Sequence, residues 1–175
     1  MQLLGSQKTA TTNARGQFVL GPLFVDCATL NYLQVDKSGF YRNRVDYACA
    51  RQEASSDYYG FSAASVDSTA TEAAVQLTGT AGIVIGHVGY RDSVKMQLWG
   101  PEEMNPDSAG RGKDFYFDLD GVLNPSRNRT AKSGNFAILD APEGISYMQA
   151  FSADNRTLSF WPVYISASTV NVYVQ

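Results

Sequence analysis

The stretch FYFDLDGVLN, residues 115–124, puts Asp118 and Asp120 at the end of an alternating apolar run, with Asp114 just before it. Carboxylates at this spacing admit three kinds of chemistry. An aspartate that closes a strand can attack a phosphoryl group, with a second aspartate two residues on as its acid and base. Three carboxylates on one strand face can hold a calcium ion through hard oxygen ligands. The third reading is the bland one, solvated carboxylates around a turn. Parity supports a strand here: Phe115, Phe117 and Leu119 alternate with Asp114, Tyr116, Asp118 and Asp120, and Asp-Gly is a turn pair.

The stretch resembles the first motif of the haloacid-dehalogenase-type phosphatases. That resemblance implies Asp118 as nucleophile and Asp120 as acid/base partner. It also implies a later Ser or Thr, a Lys and an acidic pair for Mg²⁺, all carried on an α/β domain. The chain does not continue that way. Only its last third follows Gly121, and that third reads as strands; Thr130 and Lys132 lie too close, and no acidic pair follows. For calcium, Tyr116 breaks the oxygen alternation of an EF-hand loop and the distal Glu is absent. Asp114, Asp118 and Asp120 are therefore kept as a candidate calcium set beside the solvated reading. His87 is the single histidine and has no Gly-x-Ser-x-Gly elbow beside it. No catalytic residue is assigned and no enzyme activity is expected.

The totals set further bounds. The 175 residues are 44% hydrophobic and 12% aromatic, enough for a substantial core, and only 18% are charged, against about a quarter in an average domain. A formal net charge of −3 with no basic run argues against nucleic acid. No stretch approaches the ~20 apolar residues of a membrane span. The opening MQLLGSQKTA lacks the cationic start and apolar run of a signal peptide. Cys27 and Cys49 are the only cysteines, at a spacing that fits neither a zinc pair nor a Cys-x-x-Cys motif. A disulfide between them would add roughly 3 kcal/mol; buried thiols acting as small hydrophobes are the alternative. A secreted type of composition favours the disulfide and an extracellular or cell-envelope location. Asn128 and Asn155 each open an Asn-Arg-Thr triplet, a formal glycosylation acceptor.

The elements that must position these residues read as short strands. GQFVLGPL, TLNYLQVD, AAVQLTG, GIVIGHVGY, VKMQLWG, KDFYFDLD, GNFAILDA, ISYMQAFSA, LSFWPVYIS and TVNVYVQ alternate or run apolar between Gly, Pro, Asn, Asp and Ser. The pattern predicts an all-β chain with sandwich spacing. Residues 51–74, rich in Ala, Ser, Asp and Thr, read as a loop holding at most one short helix.

Two pairs of segments match in the same order: MQLLG with MQLWG, and TNARGQFVL with TAKSGNFAIL. The second pair, with LQVDKSGF in the first half and RTAKSGNFAILDAPEG in the second, is similar to the carboxypeptidase regulatory-like, or transthyretin-like, β-sandwich family. The resemblance implies two tandem transthyretin-like or Ig-like sandwiches, residues 1–78 and 79–175, with an insertion near 101–129. It imports no peptidase chemistry, because such enzymes keep their zinc ligands in a separate domain. Gly16 and Gly134 fall where a hairpin turn calls for positive φ. Phe18 with Leu20, and Phe136 with Ile138, are expected to share strand faces.

GIVIGHVGY has no counterpart before MQLLG, so the first unit lacks an opening strand. Three arrangements supply it: a strand upstream, a strand donated by a neighbouring molecule, or a strand from TVNVYVQ or AAVQLTG. An unpaired edge invites a protein partner or self-association. Tyr58, Tyr59 and Phe61 in the polar segment either dock between the two units or form an exposed contact patch, while strand context makes Trp99 and Trp161 core residues. The expectation is a non-catalytic structural, assembly or adhesion module. The alternative is a carbohydrate-binding accessory module that uses exposed aromatics on a polysaccharide.

Overall fold

In the computed structural model the described residues are 2–3, 8–21, 32–46, 60–89, 91–102 and 110–174. The strands are β1 (Gln2–Leu3), β2 (Tyr32–Val35), β3 (Arg42–Asp46), β4 (Ala81–His87), β5 (Lys95–Trp99), β6 (Lys113–Phe117), β7 (Leu123–Asn124), β8 (Asn135–Pro142), β9 (Gly144–Phe151), β10 (Thr157–Ile165) and β11 (Thr169–Val174). A single helix among these residues, α1 (Ala63–Glu72), lies between β3 and β4. The chain is thus mostly β, in two sheets. Eight strands form one sheet in the order β1-β2-β3-β11-β4-β8-β6-β7, and three form the other in the order β10-β9-β5.

Alternation within the strands divides the core into two layers. Val84, Phe136, Ile138 and Tyr173 turn from the large sheet towards Met96, Leu98, Met148, Ala150, Val163 and Ile165 of the small one. Ile83, Ala137, Leu139 and Val170 turn the other way and pack with Val66, Ala70 and Val75. Successive side chains in a strand face opposite ways, so one apolar run serves both layers. Each large side chain buried this fully stabilises the fold by roughly 1.5–3 kcal/mol.

The helix forms where the sequence allows it. Ser62 caps its N-terminus by accepting from Ser65 N–H. Val66 and Ala70, four residues apart, share the face that meets the sheet. Its end sets the next segment: Ala74 N–H donates to Thr71 O and Val75 N–H to Ala70 O, with Ala74 at φ 53°, the bonding of a Schellman stop. AAVQLTG, expected as a strand, is therefore helix end and turn, and Val75 is buried beneath it.

Strands from both sides of residue 78 share the large sheet. The C-terminal strand β11 joins them, lying parallel to β3 on one side and to β4 on the other. It is one of the strands expected to fill the gap in the first half. The region expected as an insertion supplies β6 and β7 at the far edge.

The two matched hairpin segments differ in outcome. Gly134 (φ 69°) turns into β8, and Phe136 and Ile138 are buried in the core between the sheets. Gly16 (φ 77°) makes a comparable turn, but Gln17–Leu20 is outside any strand and Val19 is 84% exposed. Phe18 and Leu20 are half-buried, so the alternation is present without a ladder beside it. No helix among the described residues is long and apolar enough to cross a membrane.

Candidate functional site

Asp118 opens a tight hairpin between β6 and β7. Its N–H donates to Val122 O at 2.8 Å, Gly121 N–H donates back to Asp118 O at 3.0 Å, and Gly121 takes φ 81°. The same pair of bonds closes Asn13–Gln17, with Gly16 in the left-handed position, and Ser152–Arg156, with Asn155 there at φ 59°. Three unrelated segments thus share one turn, a type I turn followed by a left-handed residue. The DLDG letters specify that geometry.

Both oxygens of Asp118 are engaged: Arg127 Nε donates to one at 2.5 Å and Asn124 Nδ2 to the other at 3.0 Å. These bonds, that of Arg127 first, hold the Asp118 carboxyl below the usual carboxylate range. Asp120 accepts from Val122 N–H at 3.2 Å within the turn. Asp114 accepts from the Tyr116 hydroxyl at 2.8 Å. Among the described residues no group of three or more His, Cys, Asp and Glu side chains could hold a metal ion. The three aspartates expected to share calcium are each bound to other partners.

The strand around them packs on both of its faces. Tyr116, placed with the aspartates, is fully buried, while Leu119, placed on the apolar face, is 70% exposed at the hairpin tip. Phe115 and Phe117 pack part-buried against the helix-side core. Trp99 is buried, and Trp161 packs against the core between the sheets. His87 sits part-buried in β4, an interior strand. Phe61 packs on the helix-side core, and its N–H donates to Asn43 Oδ1 at 3.2 Å. Tyr58, Tyr59, Cys27 and Cys49 lie outside the described residues.

A cleft of about 120 Å³ lies between Tyr41, Leu77, Thr78, Asp140 and Ser168, small beside the roughly 300–1,000 Å³ of ordinary ligand sites. The larger feature is the three-stranded sheet, whose inner face is core. Its outer face, by alternation, carries Tyr147 and Gln149 of β9 and Phe160, Pro162 and Tyr164 of β10, with exposed Ile145 and Leu158 at its ends. Ile145 is 54% exposed, Leu158 43% and Phe160 40%. Tyr147 and Phe160 stack, with ring centroids 5.1 Å apart and planes 4° from parallel. Gln149 Nε2 donates to Thr157 Oγ1 at 2.8 Å beside them, and the Arg44 guanidinium lies 6.0 Å from the Tyr164 ring centroid. No acidic or basic residue occurs in β9 or β10.

Groups from elsewhere occupy parts of both edges of this sheet. Along β5, Met96 N–H donates to the Tyr116 hydroxyl at 2.9 Å. Val94 N–H donates to Thr130 Oγ1 at 3.0 Å. Thr130 N–H donates to Val94 O at 2.9 Å, and Arg111 N–H to Leu98 O at 2.7 Å. Along β10, Tyr164 N–H donates to the Tyr32 hydroxyl at 2.9 Å, and the Tyr173 hydroxyl makes a long contact of 3.5 Å with Tyr164 O. Among the described residues the large sheet ends on β1 and β7, two residues each. Short, plugged edges are how sheets avoid unwanted pairing.

Comparison with models of known families, with curated proteins and with solved structures finds no match to this chain. The sequence points to contact at a polar loop and at a missing strand. The outer face of β9 and β10 and the three capping tyrosines, Tyr32, Tyr116 and Tyr173, emerge from the tertiary structure. The signal for the face was present: ISYMQAF and LSFWPVYI carry apolar residues at both parities, and a strand can bury only one parity against a single core.

Proposed function

We propose that this chain is a non-catalytic β module of the extracellular space or cell envelope that assembles with further copies of itself through the outer face of its three-stranded sheet. The observation that carries the reading is an exposed aromatic and aliphatic face, uncharged along β9 and β10, on a sheet whose edges are occupied or short. Contiguous exposed apolar surface marks interaction sites, and charge depletion with aromatic enrichment is the composition of an interface centre. Strands β9 and β10 carry no charge of their own to bury unpaired when they pack on a second copy. The likeness to carboxypeptidase regulatory-like modules agrees with a role that needs no catalytic group.

Sedimentation velocity over a concentration series tests it. The parent is expected to associate reversibly, and Phe160→Lys and Ile145→Lys are each expected to hold it as a monomer with its thermal midpoint retained. A parent that stays monomeric at the highest concentration overturns the reading.

One observation favours a second reading. Gln149 and Thr157 present an amide and a hydroxyl beside the stacked Tyr147 and Phe160 rings, a polar–aromatic mixture suited to a sugar. A glycan array with the parent and Tyr147→Ala decides it: retention on a polysaccharide that Tyr147→Ala abolishes would favour carbohydrate binding.

A further inference from the structure

We infer that Pro162 and the Tyr32 hydroxyl together form an edge guard, which prevents the nine-residue strand β10 from accepting a strand of another molecule. β10 lies at the margin of its sheet, with β9 on one side only. It is apolar and rich in aromatic and β-branched residues, TLSFWPVYI, the type of edge that adds strands.

Parity locates the guard. Tyr164 N–H is taken by Tyr32, which reaches across from β2 of the large sheet, so the Tyr164 amide faces away from β9. In a strand, residues two apart direct their backbone groups to the same side. Pro162 therefore stands at the preceding outward position, and proline has no N–H to give. The next outward amide back along β10 is that of Phe160. Over Phe160–Tyr164 an incoming strand thus meets one usable donor, followed by a missing one and an occupied one.

The remaining margins differ in kind. β1 and β7 are two residues long, and β5 is plugged by Tyr116, Thr130 and Arg111. β10 is the long margin, and among the described residues its outward donor positions at 162 and 164 are closed by Pro162 and Tyr32. The guard stands whether or not the outer face associates, because it concerns backbone groups at the edge and not the side chains above the sheet.

Replacing the proline restores an outward donor between Phe160 and Tyr164. A single opened edge pairs antiparallel with its own copy about a two-fold axis. In light scattering after size exclusion, P162T is expected to run at twice the parent's mass or more at equal protein concentration. Its Phe160 amide should exchange with solvent at least tenfold more slowly than in the parent. A folded P162T with the parent's mass and the parent's Phe160 exchange rate overturns the inference.

Tyr32→Phe supplies a second arm that does not depend on P162T folding. Removing the hydroxyl frees the Tyr164 amide, which is expected to exchange at least tenfold faster. An unchanged rate there overturns the cap. Failure of face-to-face association is read separately, by the parent's concentration series and the Phe160→Lys variant.

Discussion

The Tyr116 hydroxyl in β6 lies 2.9 Å from the backbone nitrogen of Met96 in β5, and so ties the large sheet to an edge of the small one. The same hydroxyl donates to Asp114 at 2.8 Å. A buried N–H left without a partner costs about 1–3 kcal/mol, so Tyr116→Phe is expected to destabilise the fold by about that much in urea unfolding. The ring stays in the core, so the unfolding slope should not change.

The same residue sets an alkaline limit. Burial, and then the charge of Asp114, push the Tyr116 hydroxyl well above a tyrosine's ordinary value. A group held up in the folded state contributes stability that is complete below its unfolded value, about 10, and is lost as pH rises beyond it. Thermal midpoints measured from pH 8 to 11 are expected to fall more steeply for the parent than for Tyr116→Phe. Parallel curves would show that the hydroxyl ionises as freely folded as unfolded.

Asp118 predicts the opposite dependence. Arg127 and Asn124 hold its carboxyl low in the folded chain, so its contribution is present above about 3.9 and is lost as pH falls through its folded value. Asp118→Asn is expected to melt below the parent at pH 7, with the gap closing as pH is lowered towards 3. A gap that persists at acid pH would mean that Asp118 acts through something other than its charge.

Ala74 occupies the left-handed stop after α1 at φ 53°, where a side chain pays the steric cost that glycine avoids. Ala74→Gly is expected to raise stability by about 0.5–1 kcal/mol, the left-handed penalty of roughly 1–2 kcal/mol less the chain entropy of glycine. The measurement is the urea midpoint, and a lower one would refute the assignment of the stop.

Gly86 in β4 lies against the Phe136 ring and 2.9 Å, measured from where a Cβ would sit, from Tyr173 O. Gly86→Ala forces ring and strand apart, at a cost of about 1–3 kcal/mol for overpacking. Gly39→Ala makes a useful contrast. Nothing lies within 4 Å of its Cβ position, and only φ 79° opposes the change. The two variants separate crowding from backbone strain: lowering the bulk at Phe136 with Phe136→Leu is expected to relieve the ring's share of the first, leaving the Tyr173 O contact, and to leave the second unmoved.

Strand content, the glycine corners and the short helix were legible from local pattern. Period two marks a strand wherever one face is buried, and Gly16, Gly121 and Gly134 mark turns because the left-handed region excludes most side chains. AAVQLTG and GQFVL were misread for a shared reason: alternation states a preference, and a strand exists only where a neighbour pairs with its backbone. The DLDG stretch was ambiguous because a phosphotransfer aspartate and a hairpin corner use the same letters. Arg127 and Asn124, which occupy Asp118, follow it by nine and six residues, and nothing in their types announces the contact.

From its residue order alone this protein was bound to be a β-rich chain, with a core of alternating side chains and a weakly charged surface, since those follow from composition and period. Which strands became neighbours was decided only in three dimensions. β11 between β3 and β4, Tyr32 on Tyr164 and Tyr116 on Met96 join positions 20 to 132 residues apart. Their pairing depends on how the two sheets stack and which edges remain open once they do, and that is a property of the assembled core and not of any local segment.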